Sequence, residues 1–228
     1  MIYLSIALAP IVIILTYIYI KDKYNKEPLW MLFFSILGGM ISIAAVLITA
    51  PILADIAVYF IDVETAFYRA FLEAGFLEEL FKYLVLIIFI WPSKDFDEEF
   101  DGIVYAVYVS MGFALVENIM FVFGYGLSAG VLRAVTAVPA HAIFAISMGY
   151  YLGLAKFLPK KRSLYLILAF VSAWLMHGFY DYFIMAGYKW LLLVFIVYLI
   201  WMYIFGFKRI KKLVKLKIDP NEIKEEEN

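Results

Sequence analysis

FYRAFLEAGFLEELFKYLVLIIFIW, residues 67–91, is the stretch on which the fold turns. It exceeds the roughly 20 mostly apolar residues that a membrane helix needs. It nevertheless holds Glu73, Glu78, Glu79 and Lys82. Each ionised group at the bilayer centre costs about 2.5–3.5 kcal/mol on insertion scales. A sequence that keeps them must satisfy them against one another or against other helices. The third span therefore predicts a polar pocket inside a helical membrane bundle.

The rest of the chain supports that environment. Hydrophobic residues make up 66% of the 228, charged residues only 17%, and mean hydropathy is +0.91. A soluble domain of this composition would lack the polar surface to cover itself. The net charge of −1 excludes a generally basic nucleic-acid binder, so no nucleic-acid partner is expected. The absence of cysteine excludes disulfides, thiolate nucleophiles and cysteine–zinc sites.

Apolar runs near 1–20, 29–54, 67–91, 102–124, 131–157, 163–187 and 190–207 predict an all-α polytopic protein of about seven spans. They are too long and too continuous for a membrane β-barrel. The first run lacks a basic start and a small-residue cleavage site, so it reads as a retained helix. Lys21, Lys23 and Lys26 follow the first run, Lys94 the third, and Lys156, Lys160, Lys161 and Arg162 the fifth. Seven more basic residues, from Lys208 to Lys224, follow the last. The alternate connections carry only Arg69, Arg133 and Lys189. This bias predicts the N-terminus outside and the C-terminus in the cytoplasm. Residues 1–210 form the expected transmembrane domain and 211–228 a polar tail.

Other spans also carry groups that lipid would not tolerate: Glu117 and Asn118 in the fourth, His141 in the fifth, His177 and Asp181 in the sixth. Glu78 and Lys82 are four apart and share a helix face, as do His177 and Asp181. Glu79 is turned about 100° from Glu78, so both border one cavity. Counting about 1.5 Å per residue, Glu78, His141 and His177 lie some 15 Å, and Glu117 about 10 Å, below the outer helix ends. Four antiparallel helices thus bring ionisable groups to a common depth in the middle or outer half of the membrane.

Carboxylates and imidazoles in such a cavity suit activation of water, with a glutamate as base and histidines positioning water or binding an oxyanion. The same groups suit zinc, because two histidines and a glutamate form a known catalytic ligand set. The H-E-x-x-H signature is absent. No metal is the favoured reading; Glu78, Glu117, His141 and His177 are the ligand candidates if zinc is the cofactor. Glu73, on the flank of its helix, divides evenly between structure and function. Asp97, Glu98, Glu99 and Asp101 read as a solvated acidic turn, and Gly149 and Gly153 as a close helix contact. Gly126-Leu127-Ser128-Ala129-Gly130 matches a hydrolase serine motif only on paper, lacking a strand-to-helix elbow. Two non-proteolytic readings stand beside hydrolysis: a scaffold that holds a partner helix, and an ion or proton carrier.

Glu78-Glu79-Leu80-Phe81-Lys82 resembles the E-E-x-x-K motif of the PrsW-type intramembrane proteases, a group related to the CAAX prenyl endopeptidases. Phe113 to Glu117 resembles their F-x-x-x-E motif, and Pro139-Ala140-His141-Ala142 and His177-Gly178-Phe179-Tyr180-Asp181 their two histidine motifs. The stretches 21–28 and 96–105 are similar too, so the resemblance runs from Ala9 to about Lys212. It implies a multi-pass protease of the bacterial cytoplasmic membrane. It also implies a single-pass substrate, an anti-sigma factor, cut first on its extracytoplasmic side to start sigma-factor release. Glu78 corresponds to the first motif glutamate, with Glu79, Glu117, His141 and His177 in the catalytic set. Lys82, Asn118 and Asp181 are in support.

Overall fold

The computed structural model describes residues 2–22, 25–57 and 65–216. Lys23, Lys217, Lys224 and the expected tail from 217 onward lie outside the described residues. Every regular element among the described residues is helical. In chain order these are α1 (Ile2–Lys21), α2 (Leu29–Ala57), α3 (Thr65–Tyr68), α4 (Leu77–Val85), α5 (Asp101–Tyr125), α6 (Leu127–Val135), α7 (Ala137–Phe157), α8 (Arg162–Met185) and α9 (Lys189–Leu216). Two π-helical segments, Arg69–Phe76 and Leu86–Ile90, flank α4, so residues 65–90 form one continuous helical rod.

Among the described residues six helical segments are long and apolar enough to cross a membrane: Ile2–Lys21, Leu29–Ile56, Asp101–Tyr125, Leu127–Phe157, Pro159–Met185 and Lys189–Val214. The 65–90 rod, expected as a seventh, is as long but carries Arg69, Glu73, Glu78, Glu79 and Lys82. The fifth expected span is broken at Thr136 into α6 and α7, and this places His141 in the second turn of α7. The last helix runs past the expected boundary near 210 to Leu216, with Ile210 and Leu213 buried.

Burial ranks the helices from centre to rim. In the apolar stretch of α5, 61% of residues are buried, against 17% in α1 and in α9. α5 and α7 therefore form the core, and α1, α2 and α9 turn large apolar side chains outward, as a lipid-facing surface requires. Small residues set the core spacing. A Cβ on Gly149 would lie 2.2 Å from the Gly102 carbonyl oxygen, so α5 and α7 touch backbone to backbone. A second contact of this kind joins the rod to α8, where a Cβ on Gly75 would come within 3.0 Å of the Gly178 nitrogen. Trp174 Nε1 donates to the Phe71 carbonyl at 2.6 Å just beside it. These contacts fix the rod against α8 within about one helical turn of Glu79 and His177.

Candidate active site

The close contact at Gly75 and Gly178 brings the polar face of α4 against α8, and the core helices α5 and α7 close the other side. Lys82 is the hub, although it is only 1% exposed. Its Nζ lies 2.9 Å from Glu79 Oε1, 3.5 Å from Glu78 Oε2 and 3.2 Å from His141 Nδ1. The ammonium also sits 4.0 Å over the Phe113 ring. Because an ammonium only donates, His141 Nδ1 is assigned as the acceptor and its proton is placed on Nε2. That Nε2 meets Glu117 Oε2 at 2.9 Å.

His177 is held by the other arm. Its Nδ1 donates to Glu79 Oε1 at 2.9 Å, and its Nε2 faces Asp181 Oδ2 at 3.4 Å and Glu78 Oε2 at 3.9 Å. Phe144 stacks on the ring with centroids 4.8 Å apart, and the two imidazoles cross at 5.2 Å. Glu79 thus bridges Lys82 and His177 through one oxygen, and its buried Oε2 has no hydrogen-bond partner among the described residues. Glu78 is the more open carboxylate, its side chain 13% exposed against 1% for Glu79.

All five expected catalytic residues and Lys82 therefore meet in one connected cluster, and Asp181 borders it. Asn118 supports it from behind: its Oδ1 accepts from Arg133 Nε at 3.1 Å and its Nδ2 donates to the Ala7 carbonyl. Glu73 is not among the groups in contact with the two histidines. The residue that sequence reading missed is Arg133, whose guanidinium meets Glu117 Oε2 at 2.8 Å. In the sequence it stands at the start of the fifth apolar run and counts only, with Arg69 and Lys189, among the three cations outside the strongly basic connections, apart from Lys82. Its place on α6, folded back beside α5, depends on the turn at Gly126, where φ is +87°. Ser128 sits on this same short helix, not on a nucleophile elbow.

The donor types suit a metal, but the Lys82 ammonium already occupies His141 Nδ1 at 3.2 Å and Glu78 Oε2 at 3.5 Å, so an ion there has to displace it. Glu78, His141 and His177 each offer a ligand atom within 4.8 Å of the others. The opposite nitrogen of each imidazole is held by a carboxylate, the arrangement that orients zinc-ligating histidines.

Known proteins resemble this chain over most of its length. A family model described as "PrsW family intramembrane metalloprotease" matches residues 27–207. Protease PrsW of Bacillus subtilis is 37% identical over 216 residues, covering 92% of this chain and 94% of that protein. The protease PrsW of Geobacillus kaustophilus is 37% identical over 82% of this chain and 81% of its own length. That of Clostridioides difficile is 36% identical over 91% and 89%. No solved structure matches. Together with the six spanning-length helices, these relatives make this a multi-pass membrane protein. The chain belongs to the PrsW family of intramembrane proteases, and so to the peptide hydrolases.

Proposed function

We propose that the chain cuts a single-pass membrane substrate, an anti-sigma factor, near its extracytoplasmic surface, by glutamate-activated attack of water. The observation that carries this reading is the convergence of Glu78, Glu79, Glu117, His141 and His177 around Lys82. Glu78, the most open acid beside Lys82, takes a proton from water as the water oxygen bonds to the scissile carbonyl carbon. His177 Nε2, fixed by Glu79, and the Lys82 ammonium stabilise the oxyanion that forms. The carbon–nitrogen bond then breaks, and the proton on Glu78 passes to the departing amine. His141 holds Lys82 in place, and Glu117, itself paired with Arg133, holds His141.

The proposed catalytic type is glutamate, with Lys82 supplying the positive charge at the centre of the donor set. If zinc is bound, Glu78, His141 and His177 are the residues to hold it, and it would supply a Lewis acid that acidifies a bound water. Elemental analysis of active protein decides the type. Stoichiometric zinc, with activity lost on its removal, reverses the assignment.

The topology we propose is seven spans, the 65–90 rod included, with the N-terminus outside. The domain then covers 1–210 and the tail 211–228 is cytoplasmic. The positive-residue bias and the common depth of the pocket residues support this. The test is cleavage of candidate single-pass anti-sigma factors by purified protein, with the cut mapped by mass spectrometry. Glu78→Gln and His177→Ala are expected to abolish the cut while the protein stays folded. Normal rates in both variants, or a cut in the cytoplasmic segment, would overturn the reading.

A further inference from the structure

A second polar cluster lies at the other end of α5. Asp101 opens that helix and Glu117 is sixteen residues further on, about 24 Å along the axis at 1.5 Å per residue. The cluster is therefore separate from the proteolytic pocket. Glu27, Asp97 and Asp101 each bring a carboxylate oxygen to within 4.8 Å of the others. Glu27 is 3% exposed and Asp101 is fully buried. The three come from two connections, the one leading into α2 and the one leading into α5.

The hydrogen bonds around the cluster leave it short of positive charge. Asp101 Oδ2 accepts the backbone amides of Asp97 at 2.9 Å and Glu98 at 2.6 Å. Its Oδ1 is buried and reached by no N–H donor, and the Asp101 and Glu27 carboxyls lie within hydrogen-bond reach of each other. Tyr105 donates its hydroxyl to Glu27 Oε2, and Asn25 Nδ2 donates to Asp97 Oδ1 at 2.8 Å. Among the described residues no lysine or arginine forms an ion pair with any of the three. Lys156, which feels the Asp101 charge, gives its ammonium to the carbonyls of Trp91 and Ser93. Lys26 lies 4.0 Å over the Tyr19 ring. Two buried carboxylates facing each other are costly without a proton or a cation between them.

We propose that Glu27, Asp97 and Asp101 bind a hard divalent cation, Mg2+ or Ca2+, which ties the α1–α2 connection to the start of α5. The ligands are all oxygen, the donor type that such ions take, and the exposed edge at Asp97 leaves room for the waters that complete their shell. The buried Asp101 Oδ1, which no N–H donor reaches, is the group that the ion satisfies.

The test uses the full chain, purified in detergent and treated with chelator. Thermal unfolding is followed with no metal, with millimolar Mg2+ and with millimolar Ca2+. A saturable rise of several degrees in Tm with either ion is expected, because a ligand that binds only the folded state stabilises it. Asp97→Asn is chosen because Asp97 is exposed and its removal leaves the Asp101 bonds to backbone in place. In that variant the metal-free Tm is expected to match wild type, and the apparent affinity to fall about tenfold or more. Glu78→Gln is expected to keep the full shift, which separates this site from the proteolytic pocket. No shift in wild type overturns the proposal and leaves a proton shared by Glu27 and Asp101. A shift that Asp97→Asn preserves, or that Glu78→Gln removes, places the ion elsewhere and overturns it equally.

Discussion

Replacing Lys82 by methionine tests whether one ammonium holds the pocket together. The methionine fills most of the volume and leaves Glu79 buried with its counter-charge gone. At an effective dielectric of about 20, the Coulomb attraction is about 6 kcal/mol for the 2.9 Å contact to Glu79 and about 5 kcal/mol for the 3.5 Å contact to Glu78. Desolvation of the three groups offsets a large part of this. Breaking a buried pair by removing one partner costs about 3–5 kcal/mol, because the other charge is stranded. Lys82→Met is expected to lose that much in an unfolding titration of the purified protein. The double variant Lys82→Met with Glu79→Gln strands less charge, so it is expected to recover about 1–3 kcal/mol relative to the sum of the single changes. Both variants are expected to be inactive, so stability and cleavage separate. A single variant as stable as wild type, or a double variant showing no coupling, would refute the idea that Lys82 neutralises a buried carboxylate.

Arg133→Gln removes the guanidinium from Glu117 and is expected to slow cleavage about tenfold or more with little change in folded yield, as loss of an orienting partner does. Gly178→Leu puts a Cβ 2.3 Å from Phe71 Cδ1 and pushes α8 off the rod. A shift of about 1 Å at the Glu79–His177 bond is expected to cost about a hundredfold in rate while the protein still inserts. Gly149→Ala has no such escape, since its new atom meets the Gly102 backbone. Its expected result is loss of the monodisperse folded peak in size exclusion.

The sequence made the pocket legible because lipid leaves charges so few choices. Glu78, Glu79, Lys82, His141 and His177 stand out as buried cost that only mutual contact relieves, and the six spanning-length helices among the described residues follow from apolar length. Two aspects were hidden. Arg133 reads as an ordinary loop cation until the turn at Gly126 folds α6 back against α5, and nothing in local periodicity announces that turn. The detailed pairing was hidden as well. The four-residue spacing pointed to Asp181 as the partner that orients His177, yet Glu79, from another helix, makes the shorter contact at 2.9 Å. Spacing reports neighbours on one helix and is blind to those across a helix interface. The acidic turn at 97–101 reads as solvated from its charge alone, and burial of Asp101 is a tertiary fact that this charge conceals.

The π turn at Arg69–Phe76 has a genetic corollary. Such a turn accommodates an extra residue within an otherwise α-helical segment. Deleting one codon there would draw the extra residue out of the turn, relax it to ordinary α-geometry and leave Glu78, Glu79 and Lys82 on the same face. The same deletion at Leu80, inside α4, has no such slack and would turn Lys82 by about 100° away from Glu79 and His141. Hydrophobic length would scarcely change in either case, so a deletion scan should show proteolysis surviving losses in the π window and vanishing a few codons later.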